Sequence, residues 1–363
     1  MKNFNKQMDR RDLIKRMAAT TALLGIAPQL PALHHMAKKG KRMGIVIHSY
    51  AFRGSIKQSS KVYPPFTDAV ELLEHVHTYG AGGVQTRTSG WTKPFAHRIR
   101  KTCEELGMFI EGSISVPKSE SDLDRFESEV AIAKEAGVSV FRTAMGGRRY
   151  EDFNNRTDWI HLKMQSWQRI RWAEPIVRKH QVRLAVENHK DWEVDDLLEF
   201  MNGMSSEHLG VTIDTGNSIS LLEHPNDTVN RLAKFGATTH IKDMGVQEYE
   251  DGFLLSEVPL GQGFLEMESI LKAIEKRNPK IRFCLEMITR NPLKVPCKKP
   301  EYWQTFPNQD TGKLAKALKW IRANAQENLP SIEGKSLDEK IEYEELNNTL
   351  SVKYAEKALG LSD

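Results

Sequence analysis

Between residues 44 and 325, short apolar runs alternate with segments of helical periodicity. The runs are rich in β-branched residues and carry few charges until they end, which is typical of buried strands. The intervening segments have apolar residues three and four positions apart, and glycine follows several of them, as expected for amphipathic helices. The eight predicted strands are 44–50, 83–87, 109–115, 138–144, 183–188, 209–215, 237–243 and 281–287.

Each predicted strand is followed by a helical pattern. The predicted helices are 66–79, 94–106, 120–136, 157–180, 193–202, 224–235, 265–277 and 311–324. The pattern predicts a long loop over 244–264 and an added surface helix over 337–359. It also predicts that Arg148 and Arg149 lie in a solvated loop.

Eight strand–helix units in succession predict an α/β fold, a (β/α)8 TIM barrel with an additional C-terminal helical extension. An open doubly wound sheet uses the same units, but no G-x-G-x-x-G opens a first helix here. A division into two domains would need a linker, and no Pro/Ser-rich segment interrupts the alternation. We therefore expect a catalytic barrel over 43–325 and a helical extension over 326–363.

The formal charge of +4 comes entirely from the N-terminus, because residues 1–32 hold six Lys or Arg and two Asp. Without them the chain has no basic excess, so we expect no nucleic-acid partner. Arg10 and Arg11, followed by Leu13, Ile14 and Lys15, resemble a twin-arginine export signal. The alternative is a disordered basic tail. The resemblance predicts periplasmic localisation, with cleavage after Ala27 or Ala32 both left open.

The three cysteines, at 103, 284 and 297, have neither the number nor the spacing of a disulfide framework or a zinc ribbon. No run of about 18 apolar residues exists, so no stable membrane span is expected.

Four predicted strands end in side chains that can bind a metal: Glu187, Asp214, His240 and Glu286. Intervals of 27, 26 and 46 residues suit successive strands separated by helices. Taken singly, each residue has an ordinary explanation as a solvated strand end, a turn cap or a core histidine. Residues two positions before them on the same strand face are small or polar, whereas the larger aliphatic residues lie mostly opposite. This shared register predicts that all four face the barrel interior at its catalytic end.

Three carboxylates and one imidazole form a donor set dominated by oxygen. Such a set favours Mn²⁺ or Mg²⁺, and Zn²⁺, Co²⁺ or Fe²⁺ are also compatible with it. Three buried carboxylates would repel one another without a cation. We therefore expect one divalent cation as cofactor.

The chain resembles the xylose-isomerase-like superfamily of sugar isomerases and epimerases over about 44–325. The motifs that carry the resemblance are ENH at 187–189, DTGN at 214–217, HIKD at 240–243, PLGQG at 259–263 and LEM at 285–287. Members include ketose 3-epimerases, hydroxypyruvate isomerase, inosose dehydratase and, more distantly, endonuclease IV. The resemblance implies that all four residues bind one cation and that Glu187 and Glu286 are also the catalytic acid and base.

A metal on a sugar carbonyl acidifies the adjacent C–H, so one carboxylate can remove the proton and another can return it. The expected activity is therefore isomerisation or epimerisation of an unphosphorylated sugar or keto-sugar through a metal-stabilised enediolate. The alternative is a lyase or dehydratase acting on a 3-keto-glycoside or inosose through the same enolate. A non-catalytic sugar-binding barrel predicts a broken ligand set, and an endonuclease needs further His ligands and a basic groove.

Polar residues near other strand ends are expected to line the pocket. Lys242 lies two residues beyond His240, and His189 two beyond Glu187, so each shares its ligand's face. Ketose 3-epimerases often carry His three residues after the Asp ligand, where this chain has Asn217. The predicted substrate-binding residues are His48, Arg87, His189, Asn217 and Lys242, and Gln85, Glu111 and Arg142 also lie at strand ends. The extension could serve a homo-oligomer interface.

Overall fold

Eight parallel strands close into a barrel with helices around it, which confirms the predicted fold. The structure, a computed structural model, describes residues 43–361, so the predicted export signal lies outside the described residues. The barrel order is β1–β2–β3–β4–β5–β6–β7–β10. The strands are β1 Met43–Val46, β2 Gly83–Arg87, β3 Phe109–Ser113, β4 Val140–Thr143, β5 Arg183–Glu187, β6 Leu209–Asp214, β7 Gly236–Ile241 and β10 Phe283–Leu285.

The helices agree with the predicted ones to within a few residues, except for the short helix Arg149–Asp152, where the sequence predicted a solvated loop. They are α1 Ala69–His77, α2 Lys93–Leu106, α3 Leu123–Glu135, α4 Arg149–Asp152, α5 Arg156–Lys179, α6 Val194–Met204, α7 Pro225–Leu232, α8 Met267–Arg277, α9 Thr311–Ala323 and α10 Leu337–Leu359. Several begin at side-chain caps, such as Asp68 on α1, whose carboxylate accepts from the backbone N–H of Val70 and Glu71. Within residues 43–361, no helix combines the length and the apolar character needed to cross a membrane.

Two predicted segments are wrong. The segment 244–264 is not a loop, because most of it forms an antiparallel hairpin of β8 (Asp243–Tyr249) and β9 (Gly252–Val258). A further strand, β11 (Leu293–Val295), pairs with β9 to complete a three-stranded sheet. The first barrel strand stops at Val46, and Ile47–Tyr50 form a 3₁₀ turn instead of extending it.

Asp243 connects this hairpin to the PLGQG segment. Its carboxylate accepts hydrogen bonds from the backbone N–H groups of Met244, Gly261, Gly263 and Leu265, at 2.9 to 3.1 Å. One carboxylate thus satisfies four buried or half-buried donors of an irregular segment, which would otherwise carry a desolvation cost. The aspartate of HIKD therefore fixes the loop above β7.

The helix α10 packs on the loops at the carboxyl ends of the barrel strands through a polar stripe. Glu344, Asn347, Asn348 and Ser351 recur at helical spacing and are each at most 2% exposed. These side chains form hydrogen bonds with three different loops. In the loop after β1, Glu344 accepts from the Phe52 and Arg53 N–H groups, and Asn348 donates to the Ser49 carbonyl. In the other two loops, Asn347 donates to Thr289 Oγ1, and Ser351 accepts from the Leu260 N–H. The helix therefore ties together loops that surround the barrel mouth.

Two glycines leave room for the aromatic ring of Phe109 inside the barrel, below its mouth. A Cβ added to Gly83 would lie 2.5 Å from the ring of Phe109, and one at Gly44 would lie 2.7 Å from it. Phe109 forms a small apolar cluster with Val46 and Cys284. The lower part of the interior is thus filled, and the polar side chains of the strands meet only above it.

Candidate metal centre

Four neighbouring strands deliver the four predicted ligand residues to one point. Glu187 and Asp214 are the last residues of β5 and β6, His240 is the penultimate residue of β7, and Glu286 follows β10 directly. The β-sheet register places Asp214 beside His240, and His240 beside Cys284. All four side chains are at most 4% exposed. The barrel therefore brings together residues that are far apart in sequence.

The imidazole of His240 faces three carboxylates. Its Nδ1 lies 3.3 Å from Glu187 Oε1, 3.4 Å from Glu286 Oε1 and 4.0 Å from Asp214 Oδ2. One ligand atom from each residue lies within 4.8 Å of the others. Two donors on opposite sides of a divalent cation are about 4 to 5 Å apart, so the cluster has the dimensions of a metal site.

Two atoms of this cluster are buried without a hydrogen-bond partner among the described residues, namely His240 Nδ1 and Asp214 Oδ2. Lys242 Nζ lies 2.8 Å from Asp214 Oδ2, but this ion pair lacks hydrogen-bond geometry. Buried polar atoms are rarely left unpaired unless a ligand, ion or water completes them. The four side chains could therefore hold a divalent cation.

The pKa values of the cluster show how much charge it concentrates. Burial opposes ionisation of Glu187, yet Arg142 and His240 outweigh burial and hold its pKa well below the usual value. Burial likewise opposes ionisation of Glu286, whose pKa is held well below the usual value by Lys242 and His240. Burial would lower the pKa of His240, but Glu286 and Glu187 raise it to about 9. A proton and a metal cation thus compete for the same imidazole.

Below the cluster, Gln85 and Glu111 orient the His240 ring. The Gln85 amide nitrogen donates to Glu111 Oε2 at 3.2 Å, which turns the amide oxygen towards His240 Nε2 at 2.7 Å. When the ring is neutral, this arrangement places the proton on Nε2 and leaves the lone pair of Nδ1 available to a cation among the carboxylates. Gln85 and Glu111 are each 1% exposed, so they lie beneath the site and do not line its open side as the sequence predicted.

Three of the five predicted substrate-binding residues contact the cluster. His48 Nδ1 lies 3.1 Å from Glu286 Oε1, and Lys242 Nζ donates to Glu286 Oε2. Asn217 Nδ2 donates to Glu187 Oε1 at 3.1 Å. His48 and Lys242 thus hold Glu286, and Asn217 holds Glu187.

The other two predicted residues lie farther out. Arg87 ends β2 on the same face as Gln85 and is exposed, so it stands at the barrel mouth. His189 is turned towards the loop before α4, where its Nδ1 lies 2.9 Å from the Gly147 carbonyl oxygen. Burial lowers the pKa of His189 to about 4, which keeps the ring neutral.

Sequence patterns gave little or no weight to several charged residues that surround the cluster. Arg142 donates from Nε to Glu187 Oε2 at 2.7 Å and from Nη2 to the same oxygen. Lys190 donates to Asn217 Oδ1, and Arg290 pairs with Glu257 of β9 through Nε, at 3.0 Å, and Nη2. The one available signal was the position of Arg142 near a strand end.

A separate cavity of about 380 Å³ lies between α7 and α9, and none of the four ligand candidates lines it.

A family model described as "Xylose isomerase-like TIM barrel" matches residues 73–324 of the chain. Among curated proteins, 3-oxo-isoapionate decarboxylase from Pectobacterium atrosepticum is 23% identical over 251 residues, which cover 67% of this chain and 85% of the relative.

Solved structures share the fold at lower identity. A D-psicose 3-epimerase, determined in the presence of D-fructose, is 13% identical, with a TM-score of 0.55 over 88% of this chain and 99% of its own. A xylose isomerase-like TIM barrel protein from Mycobacterium smegmatis, in complex with magnesium, is 15% identical, with a TM-score of 0.53 over 78% of this chain and 100% of its own.

Proposed function

The chain belongs to the xylose isomerase-like TIM barrel family, and from that premise we propose that it is a divalent-metal-dependent enzyme acting on the carbonyl of an unphosphorylated sugar or keto-sugar. The first candidate activity is isomerisation or epimerisation through proton abstraction next to the carbonyl. The observation that supports it is the placement of two buried glutamates, Glu187 and Glu286, 3.3 and 3.4 Å from the same imidazole nitrogen. A substrate bound at this point lies between two groups that can exchange protons.

The four clustered side chains supply the ligands for the cation, which on binding would polarise the substrate carbonyl and offset the charge that develops on its oxygen. We favour Mn²⁺ or Mg²⁺ because three of four donors are carboxylates, and a relative of the same fold holds magnesium. Asn217 and Arg142 hold Glu187, while His48 and Lys242 hold Glu286. These contacts fix where each carboxylate can meet a substrate C–H.

A second candidate, a lyase acting on the same kind of substrate, is favoured by an asymmetry between the two glutamates. Glu187 Oε2 is occupied by the guanidinium of Arg142, which does not release protons in proteins. Glu286 instead touches His48, whose side chain is 29% exposed and whose imidazole can exchange protons with water. Proton transfer on one side is sufficient for decarboxylation, which leaves an enolate to be protonated, and for β-elimination, which begins with the removal of one proton.

In decarboxylation the electron pair of the broken C–C bond enters the carbonyl system, carbon dioxide leaves, and Glu286 delivers a proton to the resulting enolate. In β-elimination Glu286 instead removes the proton next to the carbonyl, the electron pair of the enolate forms the new C=C bond, and the β-substituent leaves with the electron pair of its C–O bond. The curated relative is named as a decarboxylase, which agrees with the first of these two outcomes. Epimerisation would in addition require Glu187 to give or take a proton beside Arg142.

Proton exchange in D₂O tests the proposal. Manganese-loaded or magnesium-loaded protein is incubated with D-psicose, D-fructose, 3-keto-glucosides, inososes and 3-oxo sugar acids, and the products are followed by NMR. We expect deuterium next to a carbonyl, lost in Glu286→Gln and kept in Glu356→Gln, a matched change at an exposed position of α10. A new epimer indicates an isomerase, and an unsaturated or decarboxylated product indicates a lyase. Metal-loaded protein that exchanges no proton in any of these compounds would refute the proposal.

Export by the twin-arginine route remains a prediction from Arg10 and Arg11. We expect wild-type protein in the periplasmic fraction and the Arg10→Lys/Arg11→Lys double variant in the cytoplasm.

A homo-oligomer likewise remains a prediction. It is tested by measuring the molar mass in solution by light scattering.

A further inference from the structure

Lys190 is a buried cation without a carboxylate partner. Lys190 follows Glu187 by three positions in the sequence, and the residue is 4% exposed. Among residues 43–361, its ammonium donates a hydrogen bond to Asn217 Oδ1, and no carboxylate forms an ion pair with it. An ammonium has three N–H donors, so donors remain for another acceptor. Burying a charge without a partner is costly, and such positions are often functional.

The surroundings of Lys190 are rich in positive charge. Burial, together with Lys242 and Arg290, lowers the pKa of Lys190 to about 8, against the opposing effect of Glu257 and Asp214. Lys242 already contacts Asp214 and Glu286, and Arg290 is already paired with Glu257. Lys190 is thus the cation of this group whose charge the described carboxylates leave unpaired.

With the His240 ring neutral, as a metal ligand must be, the charged side chains around the centre balance before the charge of the cation is added. Four carboxylates and four cationic side chains surround it, namely Glu187, Asp214, Glu257, Glu286, Arg142, Lys190, Lys242 and Arg290. Asp191 is counted as neutral, because burial raises its pKa to about 8. A bound divalent cation therefore leaves the site with an excess of positive charge, which favours an anionic substrate over a neutral sugar.

We propose that Lys190 binds a carboxylate of the substrate, and that the enzyme acts on a sugar acid or keto acid instead of a neutral sugar. This inference rests on the proposed function, since it assumes that the substrate's carbonyl lies at the metal centre. Lys190 is connected to that centre through Asn217, which donates to Glu187 Oε1 at 3.1 Å. A carboxylate beside Lys190 would accept its spare N–H donors and neutralise its charge.

A purely structural role for Lys190 makes a different prediction. If the side chain serves only to hold Asn217, an uncharged donor such as Gln can replace it. If it binds an anion, Arg should replace it better than Gln. A preference for the anionic ligand that is kept in Lys190→Arg but lost in Lys190→Gln therefore indicates anion binding, and a preference kept in Lys190→Gln indicates a structural role.

Calorimetry on Mn²⁺-loaded full-length protein tests the proposal with three probes. Malate and 2-hydroxyglutarate carry the same metal-chelating hydroxy acid as 2-hydroxybutanoate, plus one further carboxylate. We expect the two dicarboxylates to bind about tenfold more tightly or better, as a charge-assisted hydrogen bond requires. Lys190→Met and Lys190→Gln should abolish this preference, and Lys190→Arg should keep it. Lys276→Met, at an exposed position of α8, is the control.

Failure of this inference differs from failure of the proposed function. Protein that binds no Mn²⁺ would refute both. Protein that binds Mn²⁺ but has equal affinity for the dicarboxylates and for 2-hydroxybutanoate, or keeps its preference in Lys190→Met, would refute the carboxylate site alone. Retained preference in Lys190→Gln would assign the residue a structural role.

Discussion

Arg142 of β4 and Glu187 of β5 are joined through a single carboxylate oxygen. Both Nε and Nη2 of the arginine donate to Glu187 Oε2, while Glu187 Oε1 faces His240 Nδ1 at 3.3 Å. The arginine therefore determines which oxygen of the glutamate faces the candidate metal centre. It also holds the Glu187 pKa well below the usual value despite burial.

Replacing Arg142 with Met should destabilise the metal-free protein. The change leaves Glu187 buried without its main cationic partner, and breaking a buried pair costs about 3 to 5 kcal/mol. The free energy of unfolding is measured by urea denaturation at pH 7 with a chelator present. Arg178→Met provides the control, because Arg178 pairs with Glu174 at the surface, where ion pairs contribute little. Equal stability of the two variants would contradict the assigned role of Arg142.

Replacing Gln85 with Met should weaken metal binding by about 10-fold to 100-fold, the usual effect of losing the partner that orients a histidine ligand. The variant removes the acceptor of His240 Nε2–H, so the ring is free to turn Nδ1 away from the carboxylates. The measurement is Mn²⁺ titration by calorimetry. Gln247→Met, which removes a surface hydrogen bond to Glu327, should bind Mn²⁺ like the wild type. Unchanged affinity in Gln85→Met would show that the ring is held by other contacts.

The contribution of Glu344 to the free energy of unfolding should fall as the pH rises. Burial and, to a smaller extent, the nearby Glu345 carboxylate raise its pKa to about 8, although hydrogen bonds from Phe52 and Arg53 N–H and the charge of Arg53 act against the shift. The unfolded chain releases this proton near pH 4.3, so the contribution is complete at lower pH and is lost between about pH 4 and pH 8.

Urea denaturation at pH 5 and pH 8.5 measures this effect. Wild type should lose more stability over the interval than Glu344→Gln, by an amount on the order of a few kcal/mol. Arg53 and Glu345 are present in both proteins, so the comparison isolates the effect of the Glu344 carboxyl group. Equal losses in the two proteins would mean that the backbone donors and Arg53 keep Glu344 ionised.

The barrel and the convergence of the four ligand candidates follow from local patterns. The ligand positions stand at strand ends in one face register, and parallel strands of a barrel bring such ends together. The hairpin β8–β9 was missed because its flanking PLGQG segment resembles a loop. Its alternating residues on either side of Asp251–Gly252 carried a usable hairpin signal.

The charged surroundings of the site depend on contacts that no local pattern encodes. Arg149, expected in a solvated loop, is 2% exposed and lies 4.3 Å from the Trp159 ring. Arg290 and Glu257 meet only because β11 pairs with β9. The burial of Lys190 likewise appears only once the loops after β5 and β6 are folded together. Sequence patterns thus predict the clustering of the four ligand candidates well and the charged residues that surround them poorly.

The most direct test of the account is a crystal of the full-length protein grown with Mn²⁺, with diffraction data collected at the manganese absorption edge. We predict one anomalous peak at about 2.0 to 2.4 Å from His240 Nδ1 and from an oxygen of each of Glu187, Asp214 and Glu286. If calorimetry shows that the same preparation binds Mn²⁺, but the peak lies elsewhere or no peak lies among these residues, the proposed metal centre is wrong.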